Sequence, residues 1–257
     1  MLPSTLVGCS TKGYLGLAET RSWAERVASG LAARGGGDGV YACVPHPLVT
    51  VLSEGLAGTG ADVGVQDVSP HPKGPYTGEV SAELLAELGV RYVMVGHPER
   101  VRHVGETPEL FGRKVRAAVG HGLVPILVVG EPERSAEPEP VLRAQLDAAF
   151  GGLPDDAEVV VAYEPTWAIG AAEPAPADHV LRTVGVLRTL VDERVARSRV
   201  LYGGSAGPGT FAAIARAGAG GDLRDVPDGV FLGRGGLDPD AFLATVAEVR
   251  DAVGAVV

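Results

Sequence analysis

The stretch "VVVAYEPTW" runs valine, alanine and tyrosine directly into Glu164, and Pro165 and Trp167 stiffen the turn that follows. A carboxylate withdrawn from water without a partner costs several kcal/mol, so an acid that closes an apolar run is either paired or used. Other apolar runs also end on polar groups or glycine: Ser10 and Lys12, Gln66, His97 and Glu99, Glu131, Gly203 to Ser205, and Gly233 to Gly236. A carboxylate and an imidazole are the side chains of general acid–base catalysis. At the end of an apolar strand Glu164 suits the base, because exclusion of water raises its basicity. His97 is the imidazole at the start of a helical stretch. Pro98 is a favoured first helical residue, and the positive helix end keeps the preceding imidazole neutral. Glycines in the remaining turns let backbone N–H groups approach an anion closely.

These residues need a scaffold that brings strand ends together. Strand-like runs occur near 5–9 and at 39–44, 61–66, 91–96, 123–130, 158–163, 199–204 and 228–233. Between them lie helical patterns, among them 18–34, 81–88, 108–121, 138–150, 177–197 and 239–253. The runs are short, rich in valine and do not alternate, which suits parallel strands covered on both faces. Eight such units in about 250 residues predict an α/β fold, a closed parallel (β/α)8 barrel, with function at the carboxyl ends of the strands. An open doubly wound sheet would want a glycine-rich fingerprint after the first strand, and "GCSTKGYLG" is not one. No linker or charge block divides the chain, so residues 1–257 read as one domain.

Composition excludes several partners. The 257 residues are 46% hydrophobic, ample for a core, and carry a net charge of −10 with a pI near 5.1. That balance argues against nucleic acid or an anionic membrane surface, while a local site can still take a small anion. Cys9 and Cys43 lack a CxxC partner or neighbouring histidine, so both read as buried free thiols and no metal site is expected. No apolar stretch reaches the length of a membrane span, and the start lacks a secretory signal. A cytoplasmic location follows.

The motifs "VGHPER", "AYEPTWAIG" and "YGGS", with the loop "QDVSPHPKGPYTGE", resemble the triosephosphate isomerase family, in the same order over essentially the whole length. The resemblance implies cofactor-independent aldose–ketose isomerisation of a small phosphorylated sugar. By that resemblance Glu164 is the base, neutral His97 the electrophile, Lys12 a fixed cation beside carbonyl and phosphate, and Glu99 a second carboxylate near the lysine. Gly170, Ser205 and Gly233 match positions that bind phosphate. "PTWAIGAAEPA" matches a mobile lid with hinges near 165–167 and 173–175. Tyr202 and Ser205 match the latch of its closed state, and Glu131 the partner of Trp167 in its open state. The family also implies a homodimer, with Thr77 and Glu79 at the contact.

Four positions depart from the family pattern. Ser10 stands where an asparagine precedes the lysine, and Pro98 where a serine hydroxyl holds the resting carboxylate. Arg234 enters the last glycine loop, and Glu173 replaces a common lysine. The segment "RAGAGGDLRDVPDG" also lengthens the approach to the eighth strand. Ser10 and Arg234 are similar to a branch that isomerises four-carbon ketose phosphates such as L-erythrulose 1-phosphate, the alternative to the three-carbon substrate. If both face the pocket, the site gains space and a cation; if both point outward, Arg234 is a solvated charge beside Glu173. A non-catalytic sugar-phosphate-binding relative is a third reading, against which Lys12, His97 and Glu164 speak.

Overall fold

The computed structural model describes residues 1–134, 137–168 and 174–254. Eight parallel strands close on themselves in chain order. They are β1 (Leu6–Ser10), β2 (Val40–Val44), β3 (Asp62–Val65), β4 (Tyr92–Val95), β5 (Val124–Val129), β6 (Glu158–Tyr163), β7 (Arg197–Tyr202) and β8 (Gly229–Leu232). The ring closes where β1 meets β8, with Leu6 opposite Gly229 and Cys9 opposite Leu232. Among the described residues nine helices surround it: α1 (Leu17–Ala32), α2 (Val49–Gly55), α3 (Ala82–Glu87), α4 (Pro98–Val104), α5 (Pro108–Gly120), α6 (Glu139–Phe150), α7 (Ala177–Asp192), α8 (Thr210–Gly218) and α9 (Pro239–Gly254). The α/β barrel expected from the strand pattern is the fold observed.

Residues that alternate along each strand fall into two buried groups, one inside the ring and one under the helices. That is why the strands show no polar face: neither side meets water. Inside, the ring of Tyr41 stacks on Tyr92 at 4.4 Å and on Phe231 at 5.8 Å between centroids. Gly8 makes this stack possible, since a Cβ there would lie 2.1 Å from the Tyr41 ring. Phe231 also forms part of the floor of the cleft above, so the barrel filling is continuous with the site it supports. Cys9 and Cys43 are buried and free, as expected.

Most boundaries lie within two residues of the sequence expectation, and one differs by more. The helix predicted over 177–197 ends at Asp192, because Arg197 is drawn into register with Glu158 on β6 and opens β7.

The helix that follows His97 is anchored by charge. Arg100 on α4 reaches Asp67 beyond β3 and Glu106 before α5, each at 2.7 Å, and buried Lys114 on α5 binds the same two carboxylates. Removing one partner of such a buried network strands an uncompensated charge, so α4 and the turn before it are held from two sides. Among the described residues no helix is long and apolar enough to cross a membrane.

Candidate active site

Lys12 follows β1 in a left-handed conformation, φ 46°, uncommon for a residue with a side chain. Two neighbours hold it there. Ser10 Oγ accepts the Lys12 N–H at 3.3 Å, and Gln66 Nε2 donates to the Lys12 carbonyl at 3.0 Å and to that of Cys43 at 3.1 Å. The strained turn aims Nζ across the strand ends to Glu99 Oε1, 2.6 Å away.

His97 caps α4. Its Nδ1 accepts the Glu99 backbone N–H at 3.1 Å, which places the ring proton on Nε2. Burial, reinforced by the Lys12 cation, pushes the imidazole down to about 4, so the ring is neutral at physiological pH. Pro98 does occupy the first helical position, but burial is the leading cause of the lowered imidazole.

Glu164 follows β6 and is 7% exposed. Its Oε2 lies 3.7 Å from His97 Nε2, beyond a hydrogen bond. Burial drives its carboxyl up to about 8, with Lys12 pulling it down and Glu99 pushing it up. Around neutrality both partners are therefore largely uncharged, and their contact is not an ion pair. Gly203 leaves room for the carboxylate: a Cβ there would lie 2.8 Å from its Oε1.

These groups share one cleft at the carboxyl ends of the strands, about 820 Å³ and lined by Ser10, Lys12, His97, Glu99, Glu164, Ser205, Gly233 and Arg234 among others. Arg234 is exposed at its edge and has no ion-pair partner among the described residues. The outward arrangement with Glu173 concerns a residue outside the described ones, as does the expectation for Gly170. Tyr14 and Arg102 also line the cleft. Sequence reasoning missed both, because each lies several residues past its strand end.

Ser205, φ 49°, donates from Oγ to the Ala168 carbonyl at 2.9 Å, and the Ala175 N–H donates to Tyr202 Oη at 3.0 Å. Trp167 Nε1 donates to Glu131 Oε1 at 2.9 Å. Contacts that the resemblance assigns to two different states thus coexist here. His179 on α7, also missed from the sequence, bonds the same Glu131 oxygen. Thr77 and Glu79 are exposed and do not line the cleft of their own chain. No group of three or more His, Cys, Asp or Glu is placed to hold a metal ion among the described residues.

A family profile described as triosephosphate isomerase matches residues 5–249. The chain belongs to the triosephosphate isomerase family. Relatives of two different names are similar to it. The L-erythrulose-1-phosphate isomerase of Pectobacterium atrosepticum is 42% identical over 179 residues, 67% of this chain and 66% of that protein. The triosephosphate isomerase of Synechococcus sp. (strain JA-2-3B'a(2-13)) is 37% identical over 212 residues, 80% of each. The crystal structure of triosephosphate isomerase from Bartonella henselae superposes with a TM-score of 0.80 at 28% identity, covering 97% of this chain and all of that one. The family resemblance carried by four short motifs therefore extends across the whole triosephosphate isomerase barrel.

Proposed function

We propose that the protein is a cofactor-independent aldose–ketose isomerase that interconverts dihydroxyacetone phosphate and D-glyceraldehyde 3-phosphate. The observation that carries this reading is the convergence of a buried carboxyl, a neutral imidazole and a lysine in one cleft. In its ionised form Glu164 removes a proton from the hydroxymethyl carbon next to the carbonyl. His97 donates its Nε2 hydrogen bond to the carbonyl oxygen, and Lys12 stabilises the negative charge that gathers there. Transfer of the hydroxyl proton from the first carbon's oxygen to the former carbonyl oxygen, relayed at His97 Nε2, and return of the proton from Glu164 to the neighbouring carbon of the enediol complete the isomerisation, with no net gain or loss of electrons. Backbone N–H groups near Gly170, Ser205 and Gly233 hold the phosphate. The segment from Pro165 to Ala175 acts as the cover that excludes water, with Tyr202, Ser205 and Glu131 as its holding points. The same family reading carries a cytoplasmic location and a single domain.

A second reading has its own support. Ser10 and Arg234 both line the cleft, the arrangement that gives a four-carbon ketose phosphate space and a cation, and a relative named L-erythrulose-1-phosphate isomerase shares 42% identity. The two readings are separated by kcat/KM for dihydroxyacetone phosphate and for L-erythrulose 1-phosphate, in the native protein and in Arg234→Gly. The first expects a native preference above tenfold for the three-carbon substrate, about 1.4 kcal/mol of transition-state discrimination. The opposite preference, abolished in Arg234→Gly, establishes the second. No turnover of either compound would leave only a sugar-phosphate binder.

The loop over 67–79 is long for a barrel connection, and its tip from Pro72 to Glu79 is exposed. This supports a homodimer in which Thr77 and Glu79 meet the partner. Light scattering should return a dimer; a fully active monomer at nanomolar concentration would remove this assignment.

A further inference from the structure

A basic cavity of about 320 Å³ lies between the loop after β3 and α5. Its ionisable lining is His71, Arg113, Arg116 and His121, with no carboxylate, and it shares no lining residue with the cleft that holds Glu164. Arg113, Ala117 and His121 recur at the four-residue spacing of one helix face, and Arg116 stands beside them. From the loop, His71 meets this face: Arg113 Nη2 lies 3.5 Å from its Nδ1 and 3.4 Å from its Nε2. Such nearly equal distances put the guanidinium against the ring and not in line with one lone pair. The same ring stacks on Tyr76, with 4.1 Å between centroids and 10° between planes. Arg116 donates from Nη1 to the Gly151 carbonyl at 3.1 Å. Neither arginine has an ion-pair partner among the described residues.

This accumulation is out of character for the chain. Its net charge is −10, and arginines elsewhere find carboxylates: Arg26 meets Asp240, Arg143 meets Glu139 and Glu193, and Arg194 meets Asp147. Like charges gathered without a counter-charge repel one another, and an anion between them relieves the repulsion. Guanidinium groups grip phosphate oxygens two at a time. Arg113 and Arg116 stand three residues apart, about 4.5 Å along the helix axis, which suits adjacent phosphoryl groups of one ligand. Ala82 and Ala117 are small and leave the space between the cations open. The carbonyl end of α5 disfavours an anion, so the charge belongs beside the two arginines, with His121 as an N–H donor at the edge.

We propose that this cavity is a binding site for a diphosphate group: Arg113 and Arg116 hold the two phosphoryl groups, and His71 adds an N–H from the loop after β3. The site stands apart from the cleft and does not depend on the reading of that cleft as an isomerase. Its occupant bridges α5 and the loop over 67–79. Free pyrophosphate and a nucleoside diphosphate share the chemistry that the cavity recognises.

The test is calorimetric titration of the whole protein with pyrophosphate at about 0.15 M ionic strength, where diffuse surface attraction is screened. Saturating 2-phosphoglycolate, a two-carbon mimic of the enediolate, keeps the cleft occupied. Pyrophosphate should bind at one site per chain, at least tenfold tighter than sulfate. Arg113→Gln combined with Arg116→Gln should weaken it at least tenfold, while kcat/KM for dihydroxyacetone phosphate stays within twofold of native. Ala117→Glu sets a carboxylate among the cations and should abolish binding, so the proposal can be judged even if the double variant does not fold. Lys12→Met alters the cleft and should leave pyrophosphate affinity within twofold. Adenosine diphosphate separates the two sources. Affinity fivefold or more above that of pyrophosphate assigns a nucleoside carrier, anything lower assigns the free anion, and both keep the site. Sulfate binding as tightly as pyrophosphate would overturn the proposal and leave a solvated basic surface. So would full affinity in the arginine and Ala117 variants, or a loss in Lys12→Met alone. Absence of triose phosphate turnover would count against the isomerase reading, and the titration would still decide this site.

Discussion

Replacing Glu164 by glutamine is expected to lower kcat by roughly two to four orders of magnitude, the usual contribution of a positioned general base. Affinity for a phosphorylated ketose should survive, because the amide has the size of the carboxyl and the phosphate is held elsewhere. The same substitution should raise stability. An ordinary glutamate titrates near 4.5, and burial lifts Glu164 to about 8. The folded state therefore favours the protonated form, with no penalty below pH 4.5 and a penalty that grows until pH 8. At pH 7 this linkage amounts to roughly 3 kcal/mol. Thermal melts should accordingly show Glu164→Gln gaining on the native protein from pH 5 to pH 8. A variant that keeps near-native turnover would dismiss Glu164 as the base, and one with an unchanged pH dependence of stability would dismiss the buried charge.

Lys12→Met should be nearly as damaging, with a loss of kcat/KM of about a thousandfold at pH 7 if electrostatic stabilisation is the main term. Two effects combine. The cation that faces the developing oxyanion disappears, and Glu164 loses the charge that holds its carboxyl down. In the native protein kcat/KM should climb with pH and level off near 8, since the base must be ionised. His97 adds no second limb near neutrality because it titrates near 4. In Lys12→Met the rising limb should shift to higher pH, so that part of the loss is recovered above pH 9. An unshifted limb would mean that Lys12 serves the phosphate alone. Because Ser10 and Gln66 hold the Lys12 backbone through its N–H and carbonyl, methionine can occupy the same turn, and the comparison isolates the charge.

Much of this site was legible before any coordinate. Buried parallel strands lose their polar face, so valine runs such as Val159 to Val161 read directly as barrel staves. The polar residue after each run then has to lie at the common rim. Glu164, His97 and Lys12 follow three such runs and meet in one cleft, whereas the burial and the Lys12 charge that lower the His97 imidazole have no local mark. What stayed hidden depends on distance in space without a local mark. His179 sits in the first turn of α7 and is an unremarkable helical residue until the fold brings it to Glu131, 48 positions earlier. Tyr14 and Arg102 reach the cleft only through the path of their loops. The end of α7 was misplaced because helical periodicity continues past Asp192, while the pairing of Arg197 with Glu158 is a long-range fact. The left-handed backbone of Lys12 is likewise set by Ser10 and Gln66, and a lysine in a sequence carries no sign of it.

The pairing of β1 with β8 has a consequence for how the protein is made. Leu6 and Gly229 are neighbours in the finished ring, yet 223 positions of chain separate them. At the usual pace of synthesis, 5–20 residues per second, the first strand leaves the ribosome roughly ten to forty-five seconds before the eighth exists. For that interval β1 offers an open row of N–H and C=O groups to any passing strand. The nascent chain is thus an arc that lengthens stave by stave, and the cell must shelter its leading edge until the last stave arrives.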